Sequence, residues 1–210
     1  MKRLLSLSLT IATAAFSVAC GNKARSLENA SHPTGSQVAA LTVDSEHVVV
    51  THAHEGVVSR VGFDGSLSEL TLNGEPTRIT KAQGKYFVTL RQARQVAVLE
   101  ERDGELVETG RIDAGAEPFG AVASEDEAFV YVSAAMDGQV HEIDVATQQI
   151  TRSFSVDGEP RWLAYHPEGV VYAVSAWEGF ISTINLTSGD VETQQMRTEQ
   201  IVTGGSENPD

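Results

Sequence analysis

Three Glu-Pro dipeptides set the frame of this chain: Pro76, Pro118 and Pro160 stand 42 residues apart. They are half of the six prolines present, and a fixed period of roughly 20 to 50 residues marks an architecture built from repeated units. The same order of events follows each proline. A small apolar strand comes first (Arg78-Ile79-Thr80, Phe119 to Ala123, Trp162 to Tyr165), then a polar turn, then a β-branched and aromatic strand (Tyr86 to Thr89, Phe129 to Ser133, Val170 to Ser175). A short link leads to a third strand (Val96 to Leu99, Val140 to Asp144, Phe180 to Asn185), and a second turn leads to a fourth, alternating one. An earlier copy, without the Glu-Pro, runs from Val38 through Leu70. Period-two alternation with turns about every ten residues predicts strands throughout, and no 3.6-residue period appears beyond the first twenty residues.

Four-stranded units of roughly 40 to 45 residues are the arithmetic of propeller blades, each burying its apolar faces against its neighbours. The expected fold class is therefore all-β, a β-propeller of four-stranded antiparallel blades with about four blades in this chain, over 36–73, 74–114, 115–157 and 158–196. With so few blades, three arrangements are open: a self-closed ring, a homo-dimer completing a larger ring, or a shortened array. The pattern Gly-x-Pro, apolar strand, Tyr131-Val132-Ser133, Val140-x-x-Ile143-Asp144, Ala146-Thr147 and a fourth strand resembles the YVTN-type repeat of exported bacterial and archaeal surface proteins, related to the YncE group. The resemblance covers residues 36–196 and implies a propeller displayed at a cell surface. The second-strand signature lacks the Asn of the family consensus, and no Trp-Asp dipeptide is present.

Residues 1–19 read as a signal peptide: Lys2 and Arg3 precede an uncharged apolar run from Leu4 to Ala19. Sixteen residues at 1.5 Å each are short for a bilayer core of about 30 Å. The run ends at Cys20, the only cysteine. Ser17-Val18-Ala19-Cys20-Gly21 resembles a bacterial lipobox, although Ser17 replaces the usual Leu. The resemblance makes Cys20 the lipid attachment site and the mature N-terminus. Gly21 in place of Asp favours the outer membrane, with the domain periplasmic or surface-exposed. An ordinary secretory peptide cut near Ala19 is the alternative. A lipidated tether at 20–35 and a disordered tail at 197–210 complete the expected organisation.

The sequence carries 15 Lys and Arg against 29 Asp and Glu, a formal charge of -14. Nucleic-acid affinity comes mostly from cations that displace counterions, so this balance argues against DNA or RNA. In an antiparallel meander, the links between second and third strands leave by the same face as the links between blades. That face collects His52-Ala53-His54-Glu55, Arg91-Gln92-Ala93-Arg94, Met136-Asp137, Trp177-Glu178 and the three Glu-Pro glutamates. Loops on a rigid scaffold carry most binding residues, so His52, His54, Arg91, Arg94 and Trp177 are the candidate partner face. His52 and His54, two apart on an extended chain, point the same way and with Glu55 offer ligands to Zn or Cu.

The bland readings stand beside these: loop histidines in solvent, arginines in solvent, Trp162 and Trp177 packed in the core, and Glu-Pro as a structural turn in which Glu caps an amide or pairs with Arg78 or Arg161. No Gly-x-Ser-x-Gly, phosphate loop, Cys-x-x-Cys-His or calcium loop is present, which lowers the expectation of an enzyme. The expected function is a non-enzymatic binding scaffold, held at the membrane by its lipid, with an envelope protein, a polysaccharide or a small ligand as partner and no cofactor. The alternative is a metal-binding or redox accessory that uses His52 and His54.

Overall fold

The structure, a computed structural model, describes residues 38–196. The signal peptide, Cys20 with its tether and the expected tail lie outside the described residues. Among the described residues sixteen strands form four antiparallel sheets of four, each a meander in chain order. The first sheet holds β1 (Val38–Val43), β2 (His47–His52), β3 (Val57–Gly62) and β4 (Leu67–Thr71). The second holds β5 (Pro76–Ala82), β6 (Lys85–Leu90), β7 (Gln95–Arg102) and β8 (Glu105–Asp113). The third holds β9 (Pro118–Ala123), β10 (Phe129–Ala134), β11 (Gln139–Asp144) and β12 (Gln149–Ser155), and the fourth β13 (Pro160–His166), β14 (Val170–Ser175), β15 (Phe180–Asn185) and β16 (Val191–Gln195). The fold is a β-propeller array, and the four described sheets do not close into a ring. Among the described residues the only helical turn is a 3-10 turn at Ala135–Asp137, and no helix is long and apolar enough to cross a membrane.

Each repeated proline is buried and is the first residue of its blade's first strand, a place where a missing N–H breaks no ladder bond. Immediately after it the register against the second strand slips by one residue, and the same slip follows Val38 in the first blade. In three blades a hydroxyl from the second strand receives the amide that the bulge leaves over. Ala40 N donates to Thr51 Oγ1 at 3.0 Å, Arg78 N to Thr89 Oγ1 at 3.0 Å and Gly120 N to Ser133 Oγ at 2.8 Å. The Thr or Ser near the end of these three second strands is thus a bulge cap. The fourth blade has Val174 at this position, opposite Trp162.

Two-residue turns at Gln83-Gly84 and Asp103-Gly104 have positive φ at both positions (47° and 74°, 54° and 82°), the conformation that suits a tight hairpin and favours glycine second. Longer turns use side-chain caps: Asp144 Oδ1 accepts Thr147 N at 2.7 Å, and Asn185 Oδ1 accepts Thr187 N and Ser188 N at 3.0 Å each.

The core is three apolar layers between consecutive blades. Val49, Val58, Tyr86 and Val88 fill the first layer, Phe87, Val98, Val132 and Ile143 the second, and Tyr131, Phe154, Val171 and Ile184 the third. Alternation in β6 sends Tyr86 to the first layer and its neighbour Phe87 to the second, so the strand is buried on both faces. Gly120 marks a close approach between blades. A Cβ there would stand 2.5 Å from the Arg161 carbonyl oxygen and 3.1 Å from Leu163 Cγ, so any side chain would push the fourth blade away.

Candidate functional site

A repeated pair of backbone hydrogen bonds fixes the face on which the loops gather. The residue after each fourth strand donates to the loop between the second and third: Leu72 N to Gly56 O (2.6 Å), Ala114 N to Arg94 O (2.9 Å), Val156 N to Gly138 O (2.9 Å) and Met196 N to Gly179 O (2.7 Å). In return the same loops donate to the Glu-Pro glutamates: Arg91 N to Glu75 O (3.1 Å), Ala135 N to Glu117 O (3.1 Å) and Ala176 N to Glu159 O (3.0 Å). The links between blades and the loops between second and third strands therefore share one end of the array. Both Glu75 and Glu117 have positive φ, 63° and 53°, which aims their carbonyls at the loops.

Three cavities of about 380, 360 and 300 Å³ run together across this end, and Arg91 lines all three. The middle one is framed by Ala39, Ala53, His54, Glu75, Thr77, Arg78, Arg91 and Phe119. Arg78, on β5, reaches back to the first blade, where its NH1 donates to Ala39 O at 2.6 Å. Its guanidinium lies 4.9 Å from the centre of the Phe119 ring, and that of Arg161 lies 5.1 Å from the same ring. Burial lowers the pKa of Arg78, and among the described residues no carboxylate lies within ion-pair distance of it. Arg91 pairs with Glu75 Oε1 at 2.8 Å, while Arg161 is shared between Glu117 and Glu159 at 3.3 Å each. The Nε atoms of Arg91 and Arg161 are buried without a hydrogen-bond partner among the described residues. The arrangement offers partly desolvated cations over an aromatic ring, chemistry suited to a planar anionic group.

The expected site residues are divided by the structure. Arg91 is half-buried in the cavities, and Arg94, with φ of 62°, is exposed at the turn that lines the third one. Glu75 pairs with Arg91 and leaves Arg78 to the backbone, whereas Arg161 takes two of the three Glu-Pro carboxylates. The expected core packing of the tryptophans does not hold. Trp177 is 77% exposed at the β14–β15 turn, and Trp162 is 47% exposed with only an edge contact to Phe119. They belong to the last described blade, which no further sheet covers among the described residues.

Strand alternation does not set the histidine pair. β2 ends at His52 and the chain turns through 53–56, so the alternation that would point His52 and His54 the same way stops between them. His52 Nε2 is engaged with Ser59 Oγ at 3.0 Å, and its Nδ1 lies 3.9 Å from Glu55 Oε2. His54 is exposed in the turn. Among the described residues no group of three or more His, Cys, Asp or Glu side chains is arranged to hold a metal.

Sequence spacing gave no hint of a polar cluster at the opposite end of the first joint. His47 is buried, with Nε2 at 2.7 Å from Tyr86 Oη and 3.3 Å from both Asp44 Oδ2 and Glu101 Oε2. Lys81 Nζ lies 2.6 Å from Asp44, and Arg60 NH2 lies 2.9 Å from Glu101. The Lys81 ammonium and the backbone amides of Glu46 and His47 hold the Asp44 carboxyl well below the usual range. These residues come from two blades and lie up to 57 positions apart in the chain (Asp44 to Glu101). The shared signal available in the sequence was the placement of ionisable residues at the turn ends of β1, β2, β5 and β7.

No family model matches the sequence, nor does any curated protein. Solved structures do match in shape. Hydrazine synthase of Kuenenia stuttgartiensis aligns with a TM-score of 0.68 at 18% identity, over 76% of this chain and 49% of that one. Virginiamycin B lyase of Staphylococcus aureus aligns with 0.66 at 17% identity, over 78% and 57%. The β-propeller domain of Cps50 (Swd1) from Myceliophteria thermophila aligns with 0.62 at 12% identity, over 76% and 58%. The chain spans about half the length of these structures. At such identities the similarity establishes a propeller fold and nothing finer, and the neighbours include a lyase and a synthase by name.

Proposed function

We propose that the chain is a non-enzymatic binding scaffold whose loop end receives an anionic ligand, a carboxylate or phosphate group carried by a small molecule or polymer. The observation that carries the reading is Arg78: a half-buried guanidinium with no carboxylate partner among the described residues, facing a cavity on a chain of net charge -14. A desolvated cation left without a counter-ion favours an anion from outside. The blades supply rigidity, so that little ordering accompanies binding. The compartment belongs to the same proposal: a YncE-like repeat protein, exported and anchored through acyl chains on Cys20, displays this end at the cell envelope. Palmitate labelling of the full chain that survives in Cys20→Ser would overturn the anchor.

Titration calorimetry tests the site with two probes, trigalacturonate and inorganic phosphate. At least one should bind saturably, with affinity falling about tenfold or more in Arg78→Gln, the scale of one charge-assisted hydrogen-bonded contact, and falling further as salt is raised. Binding by neither probe, or equal binding by Arg78→Gln, overturns the reading.

Glu55 Oε2 at 3.9 Å from His52 Nδ1 supports a second reading, in which His52 and His54 hold Zn or Cu and the protein serves redox chemistry. Its weakness is the turn that separates the two imidazoles. Metal analysis of the purified chain decides it: stoichiometric metal that disappears on changing both histidines to Ala would favour this reading over the scaffold.

A further inference from the structure

The two ends of the array are unfinished in complementary ways. On the first blade, the sheet face turned away from the second blade carries Leu41, Val43, Val61 and Leu67, exposed by 60, 60, 40 and 56%. Cross-strand register places Val50 and Val48 behind Leu41 and Val43 on that same face. Counted from the bulge, Val50 occupies the position of Val88, Val132 and Ala173. Those three are each at most 2% exposed, sealed by the preceding blade.

The fourth blade is open on its other side. Tyr172 there holds the position of Phe87 and Tyr131, which are 0% and 2% exposed beneath the following blade. Val174 and Ile181 flank it on the same face. Repeat arrays that end in solvent carry polar outer faces on their terminal units. The outer faces of the first and fourth described blades instead keep the residues of an internal joint.

We propose that a second copy of this chain covers both faces, the first blade of each copy packing on the fourth blade of the other in a closed ring of eight blades. One copy supplies what each open face lacks, and two identical joints related by a two-fold axis leave no sheet face exposed. Eight blades fall within the usual propeller range of about four to eight. The structures that share this fold are about twice as long as the part the chain covers. The inference is independent of the anionic ligand.

The internal joints predict which residues meet. Tyr131 of the third blade stacks on Tyr165 of the fourth with ring centres 6.1 Å apart. By register Tyr172 stands in the place of Tyr131 and Val43 in the place of Tyr165. Val43 and Tyr172 of different copies should therefore be neighbours.

Because facing sheets lie about 10 Å apart, beyond the reach of a direct disulfide, cross-linking of cysteine thiols in the full chain in intact cells with a membrane-permeant bismaleimide tests this, with the wild-type chain setting the background from Cys20. The double variant Val43→Cys, Tyr172→Cys should run mostly as a dimer on a denaturing gel. Neither single variant should cross-link alone, and co-expression of the two singles should restore a dimer. Cross-linking by Val43→Cys alone would mean a back-to-back joint and overturn the proposal. An intrachain cross-link, seen as a faster monomer, would mean a self-closed ring and overturn it equally. Absence of any cross-link, with circular dichroism matching the wild type, would also overturn it.

Discussion

Phe87→Ala should lower the unfolding free energy by about 3 to 5 kcal/mol, the usual cost of removing a fully buried aromatic ring and leaving its space unfilled. Phe87 is 0% exposed and packs with Val98, Val132 and Ile143 between the second and third blades. Those blades are held by burial on both sides, so neither can move in without disturbing another joint. A loss of this size is a large share of the roughly 5 to 15 kcal/mol available to an ordinary domain. Urea unfolding followed by circular dichroism reads it directly, with the exposed Glu105→Ala as a reference expected to change stability by less than about 0.5 kcal/mol. A Phe87→Ala midpoint indistinguishable from wild type would mean that this joint contributes little.

Arg152→Ala is the second large effect, for a different reason. The Glu142 side chain is only 3% exposed and is bound by both Nε and NH2 of Arg152, by Thr151 Oγ1 at 2.7 Å and by Tyr131 Oη at 3.1 Å. Burial alone would raise its pKa, but Arg152, Thr151 and Tyr131 together hold it below the ordinary glutamate value. Removing the cation leaves a buried carboxylate with neutral donors only. Breaking such pairs costs about 3 to 5 kcal/mol, and the 41% exposure of Arg152 puts this one near the lower end.

The sign with pH follows. In the wild type the folded-state pKa of Glu142 is depressed, so its contribution is present above the unfolded value of about 4.3 and is lost as pH falls through the folded value. In Arg152→Ala burial raises the carboxyl instead, so protonation relieves the variant. The stability gap between the two proteins should therefore be widest at pH 7 and narrow as pH is taken below about 4. Urea midpoints at both pH values check it, and a gap that widens in acid would show that the Arg152 bond is not the source.

Spacing alone revealed the blade, because one period of prolines coincided with one period of strand alternation, and the end on which the loops meet followed from meander geometry. Tertiary pairing was beyond reach. Nothing near Arg78 in the sequence says that Arg91 takes the Glu75 carboxylate while Arg78 turns to Ala39, since that choice depends on how the first strands of adjacent blades lie together. Asp44, His47, Lys81 and Glu101 meet only because two blades stack with their turns level. The exposure of Trp162 and Trp177 reflects their place on the last described blade, where the packing rule that holds between blades does not apply. The relative orientation of His52 and His54 was likewise not legible, because β2 ends at His52 and strand alternation does not extend to His54.

Tyr86 and Phe87, adjacent in β6 yet committed to different layers, have a consequence for how such a chain can diversify. A single extra residue in β6 would exchange the two commitments, placing each ring where the other's cavity was shaped, so the strand's length is frozen by steric fit on both sides at once. The turns beyond the hydrogen-bonded loop pairs carry no such double constraint. Sequence change is thereby channelled to the rim, where new specificities can be tried without retuning the stack beneath them.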